Sequence, residues 1–309
     1  MPGEGAEAQG RRMAPSLGHG FWVATLVSSL TFSFAVAGLA RAAAPVAPSA
    51  PLSSSPSSAP SSAPASSAHT ALNSFNPLRP LIVQGQIGPG WRSVTLPAQG
   101  VPVSVYSVQP LPAEVAGQRH ALRMQAQASY GNLVHELPAV PAPSALSWSW
   151  MLALANPAVN LANKEGDDLP AKVCVSFDLP LDLVPFGERQ LLRLARARTG
   201  QELPAATLCW VWSVNEAKGA VIENAFSRRV RYLVVRQRGD GLNTWFDERR
   251  DLAQDFARAF PELRAATAPA LPPALPPALP PVTAVILAAD ADNTAGQSLA
   301  WLTALRWWP

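Results

Sequence analysis

Leu146-Ser147-Trp148-Ser149-Trp150 and Lys172-Val173-Cys174-Val175-Ser176-Phe177-Asp178-Leu179 both set large apolar side chains at every second residue. Successive side chains of an extended chain point to opposite sides, so a period of two marks a strand lying against a core. Working outward, the same period recurs. Val101, Val103 and Val105 alternate with Pro102 and Ser104, and Leu122, Met124, Ala126 and Ala128 alternate with Arg123, Gln125 and Gln127. Leu208, Trp210 and Trp212 share a face opposite Cys209 and Val211, and the runs 229–236, 283–289 and 299–308 complete the set. Gly88-Pro89-Gly90, Pro141-Ala142-Pro143 and Gly239-Asp240-Gly241 punctuate them as turns. About eight or more short strands separated by such turns predict a mainly β fold, an antiparallel two-sheet β-sandwich of jelly-roll-like form. Its core takes the tryptophans at 148, 150, 210 and 212, because tryptophans on an alternating strand are usually buried. Exposed, the same pairs would form a platform on which a flat ligand stacks.

Two short helices interrupt the strands. Residues 188–198 place Leu191, Leu192, Leu194 and Ala195 on a broad apolar face, with Gly200 as a stop. Residues 249–260 place Leu252, Phe256 and Phe260 at i, i+4 and i+8, with Asp247 as a candidate N-cap and Pro261 as terminator.

The chain has 309 residues, and not all of them have the composition of a core. Residues 1–42 read as a signal peptide: Arg11-Arg12, then a charge-free run from 21 to 39, then Ala40-Arg41-Ala42 as a cleavage site. Left uncleaved, the run is nearly long enough to anchor the chain in a membrane. Residues 43–72, almost all Pro, Ser and Ala at 45–68, form a linker too poor in apolar area to fold. The β-sandwich domain is therefore expected over 73–309, with an Ala-Leu-Pro-Pro repeat at 270–281 as a polyproline loop insert. This order predicts a periplasmic or secreted protein, touching a membrane only through its N-terminal segment if that is uncleaved. Cys174 and Cys209 both lie in apolar runs. They are expected to be two small buried hydrophobes, an oxidising compartment permitting a disulfide if their strands adjoin.

The formal charge is +3, and lysine is confined to Lys164, Lys172 and Lys218. No basic run tracks a phosphate backbone, so nucleic acid is not an expected partner. His120 and His135 are the histidines of the predicted domain and stand in no recognisable motif; both are expected at the surface. No zinc spacing, phosphate loop or dinucleotide fingerprint is present. The densest charge cluster is Lys164-Glu165-Gly166-Asp167-Asp168, whose carboxylates suit ligand binding or acid–base work, or simply a polar loop turned at Gly166. Asp290, Asp292 and Asn293 lie between two strands and supply oxygens of the kind that hold a structural calcium ion, or else an Asx turn. Trp245 to Asp251 mixes aromatics with both signs of charge, and Glu248 and Arg249 are expected to reach Asp167 or Asp168 across the domain.

Seven motifs occur in order: 146–150, 164–168, Phe177-Asp178, 203–207, Trp210-Val211-Trp212, 248–251 and 289–294. Together they resemble the bacterial family called domain of unknown function 3047, over roughly residues 75–308. The resemblance implies an exported protein with a β-sandwich and carries no established activity, ligand or catalytic residue. It also implies a basic residue after the second Trp of the 148–150 strand and an acidic one near 303–305. This chain has Met151-Leu152 and Thr303-Ala304-Leu305 there.

The reading that follows is a non-catalytic binding or accessory domain for a glycan or other cell-envelope component. Its ligand-binding residues are expected to be Trp150, Glu165, Asp167, Asp168, Glu248 and Arg249, with calcium at Asp290, Asp292 and Asn293. The alternative is a carboxylate-dependent hydrolase or lyase acting on an envelope polysaccharide, with Glu165, Asp167, Asp168 and Glu248 as acid and base. A third reading is a structural envelope protein whose tryptophans are all core.

Overall fold

The computed structural model describes residues 76–95, 100–199, 204–263 and 279–309. The signal-like segment, the linker and the repeat at 270–278 lie outside the described residues. Two sheets face one another, as the alternation predicts. The five-stranded sheet runs β12 (Phe246–Asp251), β7 (Ala145–Leu154), β14 (Gln297–Trp308), β5 (Gln118–Gln127), β4 (Val105–Val115). The seven-stranded sheet runs β10 (Val221–Glu223), β11 (Val230–Arg236), β9 (Ala206–Trp212), β8 (Ala171–Phe177), β13 (Val282–Ala288), β6 (Asn132–Val140), β3 (Trp91–Val94). A small hairpin, β1 (Ile82–Val83) with β2 (Gln86–Ile87), stands apart. The pairings are antiparallel except β11 with β9, which run parallel. The expected strand at 101–105 is absent as such: Val103 makes only an isolated bridge to Tyr130, and β4 begins at Val105.

The core lies where the period-two residues meet. Leu146, Trp148, Trp150 and Leu152 of one sheet pack on Val173, Val175, Phe177, Leu208, Trp210 and Trp212 of the other. Rings from the two sheets touch directly, Trp148 on Trp210 at 5.4 Å between centroids and Trp150 on Trp212 at 5.6 Å. All four indoles are buried, so they serve as packing and not as a stacking platform. Two indole N–H groups find buried carboxylates: Trp150 Nε1 donates to Glu248 (3.2 Å) and Trp210 Nε1 to Asp255 (2.7 Å). Each carboxylate is neutralised by an arginine, Arg236 on Glu248 at 2.5 Å and Arg250 on Asp255 at 2.8 Å. A buried charge without such a partner would be costly, which is why these groups come as sets.

The helix expected at 249–260 is shorter. Residues 246–251 instead form edge strand β12, paired with β7 from Phe246 opposite Trp150 to Asp251 opposite Ala145. Helix α2 (Leu252–Ala259) follows, and its N-cap is not the expected Asp247 but Asp251, whose side chain accepts from Gln254 N at 2.8 Å. Its Leu252 and Phe256 close one end of the sandwich, Phe256 lying 4.7 Å from the Phe177 ring. A further helical turn begins at Pro261. Helix α1 (Phe186–Thr199) forms as expected, but it docks through Leu192 while Leu191 and Leu194 face outward.

The seven-stranded sheet is buried on both faces. On its outer face Cys174, Cys209, Val211, Val234 and Ile286 are covered by Val159, Leu161 and Leu169 from the connection between β7 and β8. Cys174 and Cys209 sit directly opposite one another on β8 and β9 and form a disulfide, with Cα atoms 4.0 Å apart. The expectation of two unbonded thiols is corrected by this register, which the sequence could not give. With the cysteines at a sequence separation of 35, reduction removes a chain constraint worth about 2–4 kcal/mol. A urea midpoint that falls on adding a reductant, and stays put in a Cys174→Ser/Cys209→Ser variant, checks this.

Candidate ligand pocket

The covering connection stops short of the sheet's end, and a pocket opens there. A 3-10 turn, Lys164–Gly166, is held by Asn163, whose Oδ1 accepts from Gly166 N at 2.9 Å. Gly166 is required: a Cβ there would meet the Asn160 carbonyl oxygen at 2.7 Å. The turn delivers Asp167 and Asp168 to the start of β8, and β13, hydrogen-bonded beside β8, delivers Asp290, Asp292 and Asn293 to the same spot. The two acidic clusters, far apart in sequence, thus form one.

Their roles differ. Asp168 is fully buried and binds the neighbouring turn, accepting from Asn293 N (3.1 Å), Asn293 Nδ2 (3.1 Å) and Thr294 N (2.8 Å). Asp290 is ion-paired to Lys172 and accepts from Leu169 N at 2.6 Å. Asp167, 6% exposed, accepts from Asn224 Nδ2 at one oxygen, and its Oδ1 has no partner. Asp292 Oδ1 is likewise buried and unpartnered. Asn224 also donates to the Tyr232 hydroxyl at 2.7 Å, and Asn132 to Tyr130 at 2.8 Å. These groups, with Phe226, line a cavity of about 50 Å³ whose floor is the Cys174–Cys209 disulfide.

Burial sets the protonation of the site. It pushes Asp167 up to about 7, Lys172 pulling the other way and Asp290 adding to the rise. Asp292 is also pushed up to about 7, by burial first and then by Asp290 and Asp168. Burial alone would lower Lys172, but Asp290 beside it outweighs that and holds the ammonium charged. Asp290 is raised by its burial against the pull of Lys172. Tyr130 and Tyr232 are raised by burial and stay neutral phenols. The pocket therefore holds one fixed ion pair and two carboxyls that gain or lose a proton near neutrality.

The remaining expected residues lie elsewhere. Glu165 faces solvent. Trp150 is in the core, and Glu248 is held there by Trp150 and Arg236. Arg249 is on the outer face of the opposite sheet, stacked on Trp308 at 4.2 Å. Neither Glu248 nor Arg249 reaches Asp167 or Asp168, so 245–251 contributes nothing to this pocket. The calcium expectation meets a site in which Asp290 is taken by Lys172 and Asn293 by Asp168. Among the described residues no group of three or more His, Cys, Asp or Glu is placed to hold a metal ion. His135 is buried, not superficial, its Nε2 accepting from Arg79 N at 3.3 Å. Sequence reasoning missed Lys172, Tyr130, Asn132, Asn224 and Tyr232. The available signal was a lysine on the cysteine-bearing face of an otherwise apolar strand.

No helix among the described residues is long and apolar enough to cross a membrane. None of the curated proteins compared with the chain matches it. Among solved structures, the enzymatically active domain of tailspike protein 4 of bacteriophage CBA120 is similar at a TM-score of 0.34 and 5% identity. The match covers 75% of this chain and 21% of that one, so the chain spans about a fifth of its length, and the likeness is too slight to bear on fold or function. The family model for proteins of unknown function named DUF3047 matches residues 89–306, the whole sandwich from β3 to nearly the end of β14, and the chain belongs to that family.

Proposed function

We propose that this is an exported, non-catalytic binding domain for a glycan or other cell-envelope component, and that the pocket above the disulfide is its binding site. The observation that carries the reading is the pair of buried, unpartnered carboxylate oxygens on Asp167 and Asp292 at the edge of a small polar cavity. Unmet buried acceptors cost free energy, and a ligand's N–H or O–H groups remove that cost. Carboxylates, amides and phenols around one aromatic ring are suited to grip hydroxyl and amino substituents. The disulfide supports the expected compartment, periplasmic or secreted, because such bonds persist where the medium is oxidising. Retention of the full chain on insoluble cell-envelope glycan tests the proposal. Asn224→Ala, which removes the contact that positions Asp167, and Asp292→Asn, which removes a charged acceptor, should each weaken it by about tenfold. Retention unchanged in both variants would remove the site.

A second reading, a carboxylate-dependent hydrolase or lyase, is favoured by one observation. Asp167 and Asp292, both near 7, are poised to give and take protons at neutral pH. Its acid and base would be these two, because Glu165 is in solvent and Glu248 is in the core. Release of new reducing ends from envelope polysaccharide, abolished by Asp292→Asn, would select it over simple binding.

A further inference from the structure

The pocket's hydrogen-bonding capacity is one-sided. Its nitrogen donors each have a partner: Lys172 with Asp290, Asn224 Nδ2 with Asp167 and Tyr232, Asn132 Nδ2 with Tyr130, and Asn293 Nδ2 with Asp168 and the Asp167 carbonyl, while the Tyr232 hydroxyl is paired with Asp167. What remains open is acceptor capacity, Asp167 Oδ1 and Asp292 Oδ1. The charge balance agrees. The charged and phenolic groups facing the cavity are Asp167, Asp290 and Asp292, the neutral phenols Tyr130 and Tyr232, and Lys172, with Asp168 buried beside them and Lys164 near the rim, its ammonium 5.3 Å from the Phe226 ring centroid. Lys172 and the rim Lys164 against Asp167, Asp290 and Asp292 leave the ionised site negative, so an anion meets an unfavourable field there. About 50 Å³ admits one group slightly larger than a water molecule.

We infer that the group this pocket takes is a protonated amine, held between Asp167 and Asp292. The inference rests on the reading of the pocket as an envelope-ligand site and narrows it to ligands carrying a free amino group. Two sources share that chemistry, a de-N-acetylated amino sugar and the side-chain amine of a stem peptide. Either cation stabilises the ionised carboxylates, so binding near neutrality expels protons from them. Phe226 packs beside the amine's carbon neighbours, and the Cys174–Cys209 bridge gives the cavity a rigid apolar floor.

Calorimetric titration of the full chain at pH 7, in two buffers of different ionisation enthalpy, tests this. Four probes suffice: a chitosan tetramer, its N-acetylated counterpart, a lysine-containing stem tripeptide, and that tripeptide with its side-chain amine acetylated. One free-amine probe should bind at least about tenfold more tightly than its acetylated form, with up to about one proton released per ligand; which probe does so identifies the source. Asp292→Asn, shown to be folded by its melting curve, should lose the preference and most of the proton release. If an acetylated probe binds as tightly as its amine, the amine inference fails while the envelope-ligand reading stands. If neither pair binds to the wild-type chain, both fail.

Discussion

Replacing Lys172 by Met should lower the stability of the folded domain by about 3–5 kcal/mol, the cost of leaving one member of a buried ion pair without its partner. Lys172 and Asp290 are both under a tenth exposed. Without the ammonium, Asp290 keeps only the Leu169 N–H, while Asp168 and Asp292 crowd it with like charge. Methionine matches the aliphatic stem in length and isolates the loss of charge. Adding Asp290→Asn to Lys172→Met should recover much of the loss, because the orphaned charge is then gone. Denaturant midpoints of the wild type, the two single variants and the double variant give the coupling energy directly. The penalty of Lys172→Met should also shrink as the pH falls and Asp290 takes up a proton. Additive losses, independent of pH, would mean that the pair is not closed in solution.

Asp167→Asn should stabilise the protein, and only at high pH. The folded-state value for Asp167 is about 7, above the ordinary carboxylate range, so the native state holds this proton after the unfolded state has lost it. More protons on the native state mean that stability falls as the pH rises. Asp167 therefore costs nothing near pH 4, and the cost grows until about pH 7 and is complete above that. Asparagine has the same shape, keeps an acceptor for Asn224 and carries no charge. Its advantage should be about 2–4 kcal/mol at pH 8, at roughly 1.4 kcal/mol per unit with allowance for relaxation, and close to nil at pH 4. Thermal or urea unfolding across that range reads it. A stabilisation independent of pH would show that Asp167 does not titrate as its burial requires. Under the binding proposal, this destabilising carboxylate is kept for its ligand at the expense of stability.

How far the sequence disclosed this molecule depended on where each side chain's partner lay. Strands β7, β8, β9, β13 and β14 were legible because Trp, Val and Leu recur at period two and bury against the facing sheet. Strand β12 was not, because its inward positions are Phe246, Glu248 and Arg250. Two of these are charged, and they are tolerated only through Arg236 and Asp255, brought up by other elements. The second burial, on the outer face of the seven-stranded sheet, left no periodicity to read. It comes from a connection whose Val159, Leu161 and Leu169 look like loop residues.

The pocket was half legible. Asp167, Asp168, Asp290, Asp292 and Asn293 stand out as two acidic clusters, read separately as a ligand site and a calcium site. They become one place only because β13 pairs with β8, a register that no local pattern encodes. Glu248 and Arg249 drew attention for their density of charge, but density of charge does not distinguish a core ion pair from a binding surface. Lys172 passed unnoticed because a lysine alternating with apolar residues looks like a solvent-facing position until the covering connection is seen.

Backbone amide shifts of the isotopically labelled chain, followed while soluble envelope-glycan fragments are added, locate the binding surface without presuming it. The pocket account predicts saturable changes confined to residues 164–168, 224–232 and 290–294. Changes centred instead on Ser149, Asp247, Trp301 and Trp308, across the other sheet's outer face, would contradict it.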